Sequence, residues 1–160
     1  TADFASKDIA ESSPLAQKIF EVEGVTGVFF GNDFITVTKE ENYEWDHIKP
    51  EILASIMDHF QSGKPVMAND IGSVTHAEHS GPDGEIVRQI KELLDTRVRP
   101  AVAQDGGDIT FHGFDNGIVY LHMTGACAGC PSSTMTLKMG IENLLKHYIP
   151  EVAEVRPVAA

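Results

Sequence analysis

The amino-acid sequence predicts an α+β protein of two small domains, each a helix–hairpin–helix arrangement on a short mixed or antiparallel sheet, joined by a flexible linker. Three observations carry this reading. Apolar residues change from helical to strand spacing and back, once in each half of the 160 residues. In each half two runs of β-branched and aromatic residues flank a polar turn. A polar stretch punctuated by Gly72, Gly81, Pro82 and Gly84 keeps no period and separates the halves. The expected boundaries are 1–67 for the first domain, 68–84 for the linker and 85–160 for the second domain.

In the first domain, Ser12-Ser13-Pro14 supplies capping hydroxyls and a proline suited to a first turn, so a helix opens there. Leu15, Ile19 and Val22 form its apolar stripe, and Gly24 ends it. Residues 25–31 and 34–38 read as strands paired across Asn32-Asp33. A second helix is expected over 45–61, with Ile48, Ile52, Leu53, Ile56, Met57 and Phe60 at helical spacing and Ser62-Gly63-Lys64-Pro65 as its stop. A flexible linker of the expected length spans on the order of 20 Å.

The second domain opens with a helix whose Ile86, Ile90, Leu93, Leu94, Val98 and Val102 share a face. Pro100 is expected to kink it or end its regular part. Asp105-Gly106-Gly107-Asp108 reads as a turn and a strand start. Residues 109–114 and 118–123 form a hairpin across Asp115-Asn116-Gly117, a strong local turn signal. After Gly125-Ala126-Cys127-Ala128-Gly129-Cys130-Pro131 comes a helix over 132–148. Met135, Leu137, Met139, Ile141, Leu144 and Leu145 are expected to supply its core contacts. Pro150 ends it, and 152–158 reads as a last strand that must pair with the hairpin. In the first domain Tyr43, Trp45, Phe29 and Phe30 are candidates either for core packing or for a partner-docking patch.

Composition narrows the functional classes. Apolar residues make up 42% of the chain and charged residues 22%, which suits a packed globular protein. The net charge of −12 is shared by both halves. Such a surface repels phosphate backbones and anionic bilayers, which argues against nucleic acid and membrane as partners. No apolar run approaches the roughly 20 residues needed to span a bilayer. The opening residues have neither a basic region nor an apolar stretch, so no secretory leader is expected, and a start at Thr1 predicts a processed or trimmed chain. The two cysteines, Cys127 and Cys130, lie three apart in an otherwise cysteine-free chain. That pattern predicts a reducing compartment and a dedicated chemical use for the pair.

A CxxC pair serves thiol–disulfide exchange, zinc or iron–sulfur chemistry. As a thiol–disulfide oxidoreductase, one thiol would attack and the other resolve. The 30 residues after Cys130 are too few for the rest of a thioredoxin-like fold. As a zinc site, the pair needs two more ligands. His122 and His112 are the nearest candidates, and two chains could also supply four thiolates. As an iron–sulfur site, a cluster normally takes four thiolates, so two chains supply the set and the cluster bridges a symmetric contact. A cluster held at such a contact is releasable, which suits a carrier. The helix start after Pro131 favours negative charge and is expected to lower the cysteine pKa values. Gly125 and Gly129 let the backbone bend around the site, and Ser132 and Ser133 are expected to cap the helix and orient the loop.

The run Gly125-Ala126-Cys127-Ala128-Gly129-Cys130-Pro131-Ser132-Ser133-Thr134, with Arg99-Pro100 and Asp105-Gly106-Gly107-Asp108 upstream, resembles the NifU C-terminal-like domain of Nfu-type iron–sulfur cluster scaffolds. Residues 1–67 resemble the N-terminal domain of the same proteins, through Phe20-Glu21-Val22-Glu23-Gly24-Val25 and the stretch from Phe29 to Val37. The resemblance implies a non-enzymatic scaffold or carrier that holds a [4Fe-4S] cluster between two chains. It implies delivery to apo-proteins such as lipoyl synthase and aconitase-type enzymes, and loading by upstream cluster donors. The cluster ligands carry over onto Cys127 and Cys130, and the Asp105–Asp108 motif to positioning. The expected compartment is a bacterial cytoplasm, with the mitochondrial matrix as alternative. Because the chain opens almost at its first helix, the first domain is expected to lack the family's first strand and to leave a sheet edge open.

Overall fold

The computed structural model describes residues 1–68, 81, 83–128 and 131–158, without the side chains of residues 131–133. Thr1–Ser73 and Val74–Ala160 form two compact units. Most of the stretch expected as linker, 68–84, lies outside the described residues.

The first unit runs β1 (Ala2–Phe4), a 3₁₀ turn (Lys7–Ser12), α1 (Pro14–Phe20), β2 (Val25–Phe30), β3 (Ile35–Lys39) and α2 (Trp45–Gln61). Its sheet is antiparallel, in the order β1-β2-β3. The expected absence of a strand before the first helix is corrected by β1, which pairs Ala2 with Phe30 and Phe4 with Val28. Three residues are too few to show a strand period in sequence. Burial of Phe4 against the Phe30 ring, with centroids 5.3 Å apart, holds the strand in place.

Ser13 caps α1 as its sequence predicts: its hydroxyl accepts from the Ala16 N–H at 3.0 Å and donates to the Val66 carbonyl at 2.6 Å. The second bond ties the chain beyond α2 back onto α1. Helix α2 has the expected bounds, but its apolar residues divide. Ile48 and Ile52 are buried, whereas Leu53, Met57 and Phe60 are exposed. At 100° per residue these six apolar positions spread over about half the helix circumference, a wider arc than a small three-stranded unit buries.

In the second unit α3 (Gly84–Leu93), a π-helical turn (Leu94–Val98) and α4 (Arg99–Gln104) follow one another directly. Pro100 sits in the first turn of α4. The regular helix ends ahead of it, as expected, and the wider π turn shifts the hydrogen-bond register before the residue that has no N–H. Strands β4 (Gly107–Asp115) and β5 (Ile118–Gly125) form the antiparallel hairpin. Asn116 and Gly117, both at positive φ, make the tight turn. A bulge between Phe111 and Gly113 leaves His112 as the extra residue. Helix α5 (Pro131–Tyr148) then carries the chain to β6 (Glu154–Val158), which lies parallel to β5. Ile90, Leu94, Ile109, Leu121, Leu145 and Val155 are fully buried at the centre of this unit. Of the α5 residues expected in the core, Ile141 and Leu145 are buried and Leu137 and Leu144 pack against it. Met135 and Met139 do not join it: they are 64% and 59% exposed. They lie on the side of the helix turned away from the sheet, about 100° or more from Ile141 on a 3.6-residue period.

Replacing Ser13 by Ala removes a cap and leaves the Val66 carbonyl without its donor. The change should destabilise the first unit by about 1–2 kcal/mol, read as an earlier urea unfolding midpoint for that unit.

Candidate functional site

The site is built where β4 begins and β5 ends. Gly107 and Gly125 face each other in the ladder, and the Ala126 N–H donates to the Gly106 carbonyl at 3.0 Å. Gly125 has φ +63°, a left-handed conformation that turns the chain out of the strand. The next residues bring the Cys127 side chain back over Gly107. A Cβ placed on Gly107 would lie 2.3 Å from the Cys127 Sγ and 2.9 Å from the Cys127 backbone nitrogen. Only glycine leaves room for the sulfur there. Cys127 is a free thiol and 8% exposed.

Four residue pairs hold this loop. Arg99, at the start of α4, grips the Asp108 carboxylate with two bonds, Nε to Oδ1 at 2.8 Å and Nη2 to Oδ2 at 2.9 Å. Asp108 is 5% exposed, and the paired carboxylate keeps the Arg99 guanidinium more firmly protonated. The Asp108 carboxylate also accepts from the Ile109 N–H at 2.8 Å, and its carbonyl accepts from the Thr124 hydroxyl at 3.4 Å. On the other side Thr134, in the first turn of α5, donates its hydroxyl to the Cys127 carbonyl at 3.3 Å. The turn motif, the arginine and the cysteine thus come together from positions separated in sequence.

Burial pushes the Cys127 thiol up to about 11, and the carboxylates of Asp105 and Asp108 add to the shift. For this cysteine the expected lowering by the helix start is overturned: taking the thiolate out of water and facing it with two anions outweighs the helix dipole. Gly129 and Cys130 lie outside the described residues, as do the side chains of Ser132 and Ser133. Of the zinc-ligand candidates, His112 is exposed at the bulge. His122 has a buried Nε2 without a hydrogen-bond partner among the described residues. Among the described residues no three His, Cys, Asp or Glu side chains gather into a metal-binding group.

In the first unit the aromatic candidates separate. Phe29 and Phe30 are buried, Tyr43 donates its hydroxyl to Glu23 at 2.8 Å, and Trp45 is 43% exposed with Lys39 above its ring. A cleft of about 270 Å³ also opens there, lined by Lys18, Lys64, Glu21 and the buried His59 among others. The sequence reading did not single out Arg99–Asp108 as a pair, nor the Thr134 bond. Their traces in the sequence are the Arg99-Pro100 and Asp105-Gly106-Gly107-Asp108 motifs and the run from Gly125 to Thr134.

The family model for the scaffold protein Nfu/NifU N-terminal domain matches residues 1–63, and the NifU-like domain model matches residues 90–156. The chain belongs to the Nfu/NifU family. Among curated relatives, the NFU1 iron-sulfur cluster scaffold homologs, mitochondrial, of Drosophila sechellia and Drosophila simulans are each 55% identical over 158 residues, which is 99% of this chain and 56% of the relative. The Drosophila virilis protein of the same name is also 55% identical, with 53% of its length covered. The chain therefore spans little more than half the length of the curated relatives it matches. In this Nfu/NifU chain the NifU-like match takes in the Arg99–Asp108 pair, the Gly107 cradle, Cys127 and α5.

Gly107→Ala forces the Cys127 backbone and sulfur to move. It should destabilise the second unit by about 1–3 kcal/mol, measured by chemical denaturation, and lower Cys127 burial, measured by faster alkylation. The acidity of Cys127 has its own check. The folded state holds this thiol's proton more tightly than the unfolded chain, so that stabilisation is complete below pH 9 and fades as pH approaches 11. In Cys130→Ala protein, iodoacetamide alkylation should keep rising about tenfold per pH unit beyond pH 9, levelling only near 11.

Proposed function

We propose that this chain is an iron–sulfur cluster scaffold or carrier, whose cargo is a [4Fe-4S] cluster bridged between two chains by Cys127 and Cys130 of each. The observation that carries the reading is the Cys127 site: a thiol cradled on Gly107 and braced by Arg99–Asp108 and Thr134, within a region that matches the NifU-like domain. The names of the relatives, iron-sulfur cluster scaffold homologs, support the cargo class. Stoichiometry supports the sharing. The chain has two cysteines and a cluster takes four thiolates, so two protomers complete the set.

The chain's own groups account for how the cargo is held and let go. Cys127 waits as a thiol and must give up its proton to ligate iron, so loading releases a proton and grows more favourable as pH rises. The glycine cradle holds the Cys127 sulfur against the start of β4, and the Arg99–Asp108 pair keeps the cradle in register with β5. The cluster leaves when the protomers separate or an incoming thiolate exchanges for Cys127 or Cys130. The chain assembles and hands on, without turning over a substrate.

The reading extends to partners and place. Apo iron–sulfur proteins of the lipoyl synthase or aconitase type are the proposed recipients, with upstream donors supplying the cluster. The first domain, 1–67, joined through 68–84 to the cluster domain, 85–160, is the proposed recognition module. The relatives' names say mitochondrial, which favours the mitochondrial matrix and gives no support to the bacterial cytoplasm.

Anaerobic reconstitution with iron and sulfide, followed by Mössbauer spectroscopy and mass measurement, tests the proposal. The expected result is one [4Fe-4S] cluster per dimer and at least tenfold less cluster in Cys127→Ala. A full cluster on a monomer, or unimpaired loading without Cys127, contradicts it. A thiol–disulfide oxidoreductase using the same CxxC would gain no iron–sulfur charge-transfer absorption.

A further inference from the structure

We infer that the outward face of α5, from Met135 to Asn143, is the surface on which a second copy of this chain seats when the cluster is shared. The inference rests on the bridging of a cluster by two protomers and names the protein contact that accompanies it.

The face follows directly from the site. α5 begins at Pro131, immediately after Cys130, and Thr134 in its first turn is bonded to the Cys127 carbonyl. At about 1.5 Å of rise per residue, Met135 stands within roughly two turns of the cysteine loop, and Met139 one turn further. Two loops that ligate one cluster are brought within a few ångströms of it, so the first turns of α5 are the nearest helical surface to the partner.

Chemistry agrees with this occupant. The exposed positions between Met135 and Asn143 are Met135, Thr136, Met139, Gly140 and Asn143, and none carries a charge. Charge resumes at Glu142 and Lys146, which pair with each other at 2.7 Å. Lys138, on the flank, reaches Glu154 at 3.8 Å. On a chain of net charge −12 an uncharged face is where two identical molecules can meet, because a two-fold contact sets each patch against its own copy. A basic partner would be drawn instead to acidic surface. Met135 and Met139 are 64% and 59% exposed, although methionine ordinarily packs inside and, at a surface, marks an adaptable apolar contact. Gly140 sits inside the helix with no atom within 4 Å of where a Cβ would be. Its own fold does not require a glycine there, and a glycine lowers helix propensity. A closely approaching partner surface supplies the reason.

The test uses the full chain, loaded anaerobically with iron and sulfide, in two charged forms: Met135→Glu/Met139→Glu and Met135→Lys/Met139→Lys. Both side chains are exposed, so circular dichroism and thermal midpoint of the unloaded forms should match the parent. Sedimentation of each loaded form alone should show dimerisation at least tenfold weaker than the parent, since like charges then meet across the two-fold. Mixing the two forms should restore a mixed dimer of near-parental affinity, identified by native mass. The inference is overturned if either form dimerises like the parent, or if mixing restores nothing. A drop in cluster delivery to an apo-protein with dimerisation intact also overturns it, by assigning the face to a recipient. A parent protein that carries its cluster as a monomer would instead defeat the bridging reading itself, which separates the two failures.

Discussion

The Cys127 sulfur occupies the space that any side chain on Gly107 would fill, and the organisation of the second unit follows from keeping that space open. Gly107 is the first residue of β4 and Gly125 the last of β5, so the contact closes one end of the hairpin. A sulfur held this closely tolerates little drift of β4. The two-pronged Arg99–Asp108 interaction prevents that drift by pinning the residue next to Gly107 to the helix ahead of it. The π turn and Pro100 set where that helix starts, and thereby where Arg99 points. A packing requirement at one sulfur atom thus reaches back through a salt bridge to a proline some 27 residues earlier in the chain.

The same enclosure sets the chemistry. A thiol in water beside a helix start would ionise readily, whereas Cys127 is desolvated and faced by Asp105 and Asp108, and keeps its proton. The acidic character of the whole chain acts in the same direction locally and also shapes association. The net negative charge sets a general repulsion between identical copies, and the exposed positions of α5 from Met135 to Asn143 add no charge to it.

Much of this architecture was legible in sequence. The caps at Ser13, the Asn116-Gly117 turn and the stripes of α2 and α5 located the helices and hairpins, because those signals are local and each has one dominant physical cause. The parallel partner of β5 was expected only as a strand that had to pair with the hairpin. β1 was not legible, since three residues at a sheet edge are specified by the burial of one phenylalanine, a tertiary event. Met135 and Met139 were assigned to the core because hydrophobicity alone does not tell which side of a helix meets the sheet. Leu53, Met57 and Phe60 on α2 repeat that lesson. At the site, the cysteine pair and its glycines were visible, while the Cys127 acidity went the other way: sequence shows the adjacent helix start but not the depth of burial or the negative field of Asp105 and Asp108.

The parallel pairing of β5 with β6 has a consequence for the order in which the second unit is completed. A hairpin such as β4–β5 closes within microseconds through near neighbours, whereas a parallel pair waits for an intervening segment to traverse the sheet. Here that segment is α5, which leaves from the cysteine loop and returns at Glu154. Burial of Ile141 and Leu145 and the pairing of β6 together fix the far end of α5, whose first turn carries the Thr134 bond to Cys127. The enclosure of Cys127 is thereby coupled to the slower, non-local pairing and not to the hairpin alone.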